Sequence, residues 1–159
     1  ERLKAHPSES VKKLDTILKQ LKDAEMEVFA LKSKMAVGML DELVAKAQVE
    51  KGVKYIVAKL DNMSIESLRE MGDKLRDKMG TSFVMLASSG GEKTVLVAMA
   101  SKDAVSKGVH SGNIIKEAAK AAGGSGGGRP DMAQGGIKDL DKVGVALDAV
   151  PEILKNMIK

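Results

Sequence analysis

Apolar residues fall at Val11, Leu14, Ile17, Leu18, Leu21, Ala24, Val28, Leu31 and Met35, forming one stripe on a segment otherwise rich in charge. This spacing predicts a long amphipathic helix. Pro7 and Ser8 open it, with Ser8 as the expected cap and Glu9 near the positive end of the helix dipole. A rod of about 28 residues spans roughly 40 Å, too long to bury its stripe against the remainder of a chain this size. It must pair with another helix, in the same chain or in a second copy, and Leu14, Leu18, Leu21 and Val28 are the candidate dimer contacts. Glu25 and Lys32 interrupt a strict heptad seam, which favours a short antiparallel pairing over a long ideal coiled coil. Gly38 predicts a break, after which Met39–Ala47 forms a second, shorter helix folding back on the first.

From residue 47 the periodicity changes. Ala47–Glu50 and Val53–Leu60 flank Lys51-Gly52 and predict a β-hairpin. Asn62 and Ser64 supply caps for a helix whose apolar face is Ile65, Leu68, Met71, Leu75 and Met79, with Gly80 as its stop. Ser82–Ala87 and Thr94–Ala100 are nearly all apolar and predict strands of a sheet covered on both faces, joined by a turn over residues 88–93. A short helical segment at Lys102–Lys107 precedes a helix over Gly112–Ala122 capped by Ser111. The last helical region is Lys138–Ile158, where Pro151 either kinks the helix or starts a new one. Tyr55 and Phe83 read as core. The predicted class is α+β: a helical arm over residues 1–46, and a globular α/β domain over 47–159 with a small mixed or antiparallel sheet flanked by helices.

Composition narrows the chemistry. The chain has 159 residues, no Cys, no Trp, one Tyr, two Phe and ten Met, so its core is aliphatic and methionine-filled. Without Cys there is no disulfide, thiolate nucleophile or cysteine zinc site, as befits a cytoplasmic protein. No apolar run reaches the roughly 20 residues a membrane crossing needs. The chain opens on Glu1, as expected of a fragment or a processed product. Net charge is +4. The stretch 102–129 concentrates it, with Lys102, Lys107, Lys116, Lys120 and Arg129 against Asp103 and Glu117, and His110 inside. Either an anionic partner or a solvated surface accounts for that.

Catalytic constellations are missing from the pattern. His6 and His110 stand in no metal-binding spacing, His6 reading as an ordinary exposed residue, and neither lies where it would activate a serine. The site residues read as catalytic: none, metal: none. Attention falls instead on Gly123–Gly136, where seven of fourteen residues are Gly. Such a stretch is either a flexible linker or a shaped loop that lets something approach closely. It contains no Gly-Lys-Ser/Thr phosphate loop, and its dinucleotide-like spacing follows a helix instead of a strand. It does offer unhindered backbone N–H groups, a guanidinium at Arg129 and an amide at Gln134, suited to phosphate or ribose. The alternative is that the glycines only permit a tight crossing between helices. Basic residues interleaved with aromatics are absent, so any RNA bound would be folded RNA read by shape and phosphate.

The segment Gly-Gly-Ser-Gly-Gly-Gly-Arg-Pro-Asp-Met-Ala-Gln-Gly-Gly resembles the C-terminal signature of bacterial alanyl-tRNA synthetases. The order of the charged helix at 8–36, Gly52–Val57, Leu68–Met79, Val95–Ala100 and Ser101-Lys102-Asp103 agrees with it across essentially the whole chain. Ser125 stands where the family usually has Lys, which removes one cation beside the loop. The resemblance implies the third part of that enzyme, often called C-Ala, and argues against the linker, as do the helices on either side of the stretch and the basic segment before it. It implies a non-catalytic module that binds the outer corner, or elbow, of tRNA(Ala), helps the enzyme form a homodimer, and links the aminoacylation and editing domains on one tRNA. ATP and zinc are then expected only in upstream domains. Lys107, His110, Gly126, Gly127, Gly128, Arg129 and Gln134 are the candidate tRNA-binding residues, with Asp131 a candidate internal partner of Arg129. The globular part is similar to the nucleic-acid-binding domain of DHH-family phosphoesterases, but the Asp/His metal cluster such chemistry requires is absent from the sequence. A purely structural dimerisation arm and spacer remains the alternative reading.

Overall fold

The computed structural model describes residues 7–90 and 93–159, with side-chain environments for 10–28, 38–90 and 93–159. The chain divides into two compact units, Glu1–Met39 and Leu40–Lys159. Helix α1 runs Pro7–Ala45 without interruption. The break predicted at Gly38 is therefore absent, as is the second helix predicted to fold back from Met39. A β-carbon at Gly38 would meet nothing within 4 Å, so this glycine marks no close approach, and one glycine costs a helix only about 1 kcal/mol. The unit boundary also falls earlier than the 46/47 division expected. Leu40 and Leu43 are buried and Asp41 pairs with Lys78, which gives the last turns of α1 to the globular unit. In the arm, Leu14, Leu18, Leu21 and Val28 are each about half exposed, at 57%, 53%, 55% and 48%. His6 lies outside the described residues.

The globular unit is built on a six-stranded mixed sheet of order β1-β2-β3-β4-β6-β5. Strands β1 (Gln48–Glu50) and β2 (Val53–Asp61) form the predicted hairpin. Lys51 and Gly52, both at positive φ (45° and 79°), make its two-residue turn, whose twist matches the strands it joins. Helix α2 (Ile65–Met79) connects β2 to β3 (Ser82–Gly90), which lies parallel to β2. Ser64 is its N-cap, accepting from the Ser67 amide, and Gly80 ends it at φ 76°. Strand β4 (Lys93–Ala100) returns antiparallel to β3. Both strands are longer than expected. Ser88-Ser89-Gly90, read as turn, continues β3, with Ser89 and Thr94 sharing a cross-strand hydroxyl hydrogen bond of 3.0 Å. The remainder of that turn, residues 91 and 92, lies outside the described residues.

Both faces of β3 and β4 are covered. Helix α2 packs on one side, with Leu68, Met71, Leu75 and Met79 buried there together with Ile56, Val84, Leu86, Val97 and Met99. The opposite face carries Val53, Tyr55, Phe83, Met85, Leu96, Ala98 and Ile137, under α4 (Ser111–Ala121) and α5 (Val143–Met157). The short helix α3 (Lys102–Ser106), capped by Ser101, leads into α4. Pro151 lies inside α5, so no new helix starts there. A 3-10 turn at Leu140–Lys142 precedes α5, so the last α-helix starts at Val143 and not at Lys138, and Leu140 is 44% exposed.

Candidate nucleic-acid interface

The glycine stretch is not a loop. Ser125–Gly128 forms β5 and Met132–Ile137 forms β6, an antiparallel hairpin whose second strand joins β4 and whose first is the sheet edge. Local preference argues against strands made of glycine. What overrides it is the space above them. A β-carbon at Gly126 would lie 2.5 Å from Ile115 Cγ2 and 2.7 Å from Gly135 Cα, and one at Gly135 would lie 2.9 Å from the same Ile115 methyl. At Gly112, on α4 itself, it would strike the Gly128 carbonyl. Glycines on both sides of the contact thus let α4 lie directly on the hairpin backbone. Gly127 differs, since a β-carbon there would meet nothing within 4 Å. Successive strand residues face opposite ways, so Gly127 looks away from α4, out of the face that carries Gln134, its register partner.

The hairpin tip is locked to the start of α4. The Ser111 amide donates to the Pro130 carbonyl at 3.0 Å and the Gly112 amide to the Arg129 carbonyl at 3.2 Å, while the Arg129 amide donates to the Met132 carbonyl at 2.8 Å. The next amide, Asn113, donates to His110 Nδ1 at 3.2 Å. His110, and not Ser111 as predicted, is the cap of α4: its backbone is extended (φ −133°, ψ 98°), whereas Ser111 is already helical and wholly buried. The orphan amides of a helix start ordinarily invite anions. Here the first three are already matched by carbonyls or by the His110 ring, so α4 holds the hairpin instead of a free phosphate.

That lock presents Arg129. Its main chain is fixed on two sides, while its side chain is 74% exposed and its Nε lies 3.5 Å from Asp131 Oδ1. The expected internal pairing with Asp131 exists, but as an exposed pair it contributes only about 0–1 kcal/mol. The guanidinium is available at little cost.

The candidate residues do not all converge. Gly128, Arg129 and His110 gather at the hairpin tip. Gln134 projects from the sheet face on the α2 side, where its Oε1 accepts from Arg69 Nη2 at 2.8 Å. Lys107 is recruited elsewhere, donating through Nζ to the Gly52 carbonyl at 3.2 Å, while its own carbonyl accepts from the Lys159 amide at 3.1 Å. Lys51 completes that end by donating to the Ile158 carbonyl at 2.8 Å, a cation at the negative end of α5. Sequence reasoning missed Arg69, which sits among ordinary helix charges. The available signal was arginine itself, four residues against 22 Lys.

A cleft of about 290 Å³ between α4 and α5 is lined by Glu117, Glu152, Ile153 and Asn156, and its carboxylates disfavour an anionic ligand. Among the described residues, no group of three or more His, Cys, Asp or Glu side chains converges to hold a metal ion, and no helix is long and apolar enough to cross a membrane.

A family model described as the DHHA1 domain matches residues 52–156. An alanine–tRNA ligase of Acetivibrio thermocellus is 47% identical over 156 residues, covering 98% of this chain and 18% of the ligase. The alanine–tRNA ligase of Alkaliphilus oremlandii is 45% identical with the same coverage. The chain thus spans about a fifth of the length of these curated relatives. The crystal structure of the C-Ala domain from Aquifex aeolicus alanyl-tRNA synthetase matches with a TM-score of 0.63 at 33% identity, over 69% of this chain and 97% of that one. A DHH domain from a member of the s1p family of ribosomal proteins shares the fold at 16% identity and a TM-score of 0.54, over 84% of this chain and 33% of that one.

Proposed function

Because this chain belongs to the DHHA1 domain family, and within it to the C-Ala domains of alanyl-tRNA synthetases, we propose that it is a non-catalytic module that binds the elbow of tRNA(Ala). In this reading it acts within an alanine–tRNA ligase, serving that enzyme's aminoacylation and editing domains together on one tRNA. The observation that carries the RNA-binding role is the presentation of Arg129. A guanidinium held only by an exposed carboxylate extends from a hairpin tip whose backbone is fixed by α4. A rigid backbone with an exposed, weakly paired cation suits a phosphate contact, because little freedom is lost on binding. His110 and Gly128 stand at the same tip and Gln134 on the adjoining sheet face. Lys107 contributes to the field while bracing the β1–β2 turn.

The arm contributes homodimerisation in this reading. Val11, Leu14, Ile17, Leu18 and Leu21 are each more than half exposed on α1. Apolar side chains repeated along one helix in this way are characteristic of a pairing surface. The protein acts in the cytoplasm, where its tRNA is found.

Filter binding of folded tRNA(Ala), against an unfolded transcript of the same length, tests the RNA reading. Folded tRNA should bind more tightly, and Arg129→Gln should weaken it by about ten- to hundred-fold, the usual worth of a charged hydrogen bond. Equal binding of the folded and unfolded RNA would refute it and leave a structural arm and spacer.

A further inference from the structure

The three described arginines are not equivalent. Arg76 pairs with Asp73 at 2.7 Å, and Arg129 with Asp131. Arg69 has no carboxylate partner among the described residues, although it sits on a helix that carries four acids. The acids beside it are drawn elsewhere. Glu70 pairs with Lys74 at 3.3 Å, one turn on, and Asp73 is held by Arg76. Glu66 lies in the first turn, where the positive end of the helix attracts it. Among the described residues Arg69 is left with a single hydrogen bond, from Nη2 to the neutral Gln134 amide, and its buried Nε has no acceptor. A guanidinium in that state is under-satisfied, and exchanging an amide oxygen for an anionic one strengthens the bond it makes.

Beside it lies backbone with almost no side chains. Gln134 is opposite Gly127 in the hairpin, and the next pair out of the same face is Ser125 and Gly136. Packing explains Gly126, Gly128 and Gly135, whose β-carbons would collide with neighbours. It does not explain Gly127, where a side chain would meet nothing within 4 Å and the backbone is not left-handed. A strand glycine that the fold does not require marks a place where something else comes close.

We propose that Arg69 is a phosphate-binding residue for RNA, and that the hairpin face bearing Gly127, Gln134 and Gly136 is where the sugar–phosphate backbone passes. Gln134 holds the guanidinium over this face in the free protein and releases part of it to the phosphodiester oxygen. This rests on the reading of the chain as an RNA-binding module. It adds a second contact surface, reached from α2, to the Arg129 tip reached from α4.

The test is an anisotropy titration of the full chain with folded tRNA at several salt concentrations. Arg69→Gln is expected to weaken binding by about ten-fold or more. It should also reduce the slope of log K against log salt by about one, the signature of one lost phosphate contact. Gly127→Asp should weaken binding as well, because it sets a carboxylate in the phosphate's path. Wild-type affinity and slope in Arg69→Gln, alongside a loss in Arg129→Gln, would overturn this proposal and leave the parent reading standing. A wild-type chain that does not prefer folded tRNA would overturn both. Should Arg69→Gln lower the melting temperature, Gly127→Asp decides, and wild-type affinity in that variant overturns the proposal.

Discussion

Replacing Gly126 or Gly127 by alanine adds the same methyl group to adjacent residues of one strand, with opposite expected results. At Gly126 the new β-carbon stands 2.5 Å from Ile115 Cγ2, 2.7 Å from Gly135 Cα and 2.9 Å from the Gln134 carbonyl oxygen. Carbon atoms prefer separations of about 3.5–4.0 Å, so relief requires a shift of about 1 Å. Two of the three obstacles are backbone of the paired strand, and the third is a buried side chain of α4. Neither yields without separating α4 from the hairpin or β5 from β6. Overpacking of this kind costs about 1–3 kcal/mol, and the backbone obstacles place Gly126→Ala near 2. At Gly127 nothing lies within 4 Å. There the reduced freedom of the unfolded chain stabilises the fold by about 0.4–1 kcal/mol. For a chain of this size, 1 kcal/mol corresponds to about 2–4 °C. Gly126→Ala should therefore melt about 4–8 °C below wild type, and Gly127→Ala at or slightly above it. Tyr55 is the sole tyrosine and lies in the core, so its fluorescence follows the globular unit without interference from the arm. Equal melting temperatures for the two variants, or a larger loss at Gly127, would refute the packing of α4 on the hairpin.

The cap of α4 is tested by His110→Ala, which removes the acceptor for the Asn113 amide and should destabilise the unit by about 1 kcal/mol in urea unfolding. His110→Asn should restore most of that, and no effect of either variant would show that Nδ1 does not cap. Ser111 buries a hydroxyl without a partner among the described residues, so Ser111→Ala should be neutral or stabilising by up to about 1 kcal/mol. A clear loss of stability there would mean that the hydroxyl has a partner. In the arm, Leu18→Asp should convert the proposed dimer to a monomer in analytical ultracentrifugation with the tyrosine melt unchanged. A wild-type chain that is monomeric at micromolar concentration would rule out the dimer.

Much of the fold follows from local pattern. The period of the α1 stripe, the Ser64 and Gly80 caps, the Lys51-Gly52 turn and the apolar runs of β3 and β4 each depend on residues a few positions apart, and each is present. The C-Ala domain of alanyl-tRNA synthetases was legible in the glycine signature. What the local pattern missed depends on distant partners. Continuation of α1 through Gly38 shows that one glycine is too small a penalty to end a helix when nothing nearby forces a turn. Burial of Leu40 and Leu43 assigns the end of that helix to the globular unit. His110 displaces Ser111 as cap because the Ser111 and Gly112 amides are taken by the hairpin tip, about 20 residues further along.

The glycine stretch shows the division most clearly. Its sequence determined that the backbone there must tolerate close approach, since no other residue type would put seven unhindered positions in fourteen. Local preference pointed to linker or loop, because glycine is depleted in strands. Tertiary structure decided it by placing β4 beside Met132–Ile137 and α4 across the top. Ladder hydrogen bonds then compensated for the entropy of ordering glycine, and the missing β-carbons became the room that Ile115 occupies. The same packing separated Gly126, which the fold requires, from Gly127, which it does not, and brought Arg69 to Gln134 across 65 residues of chain. Side chains so distant meet only when the sheet between them has closed.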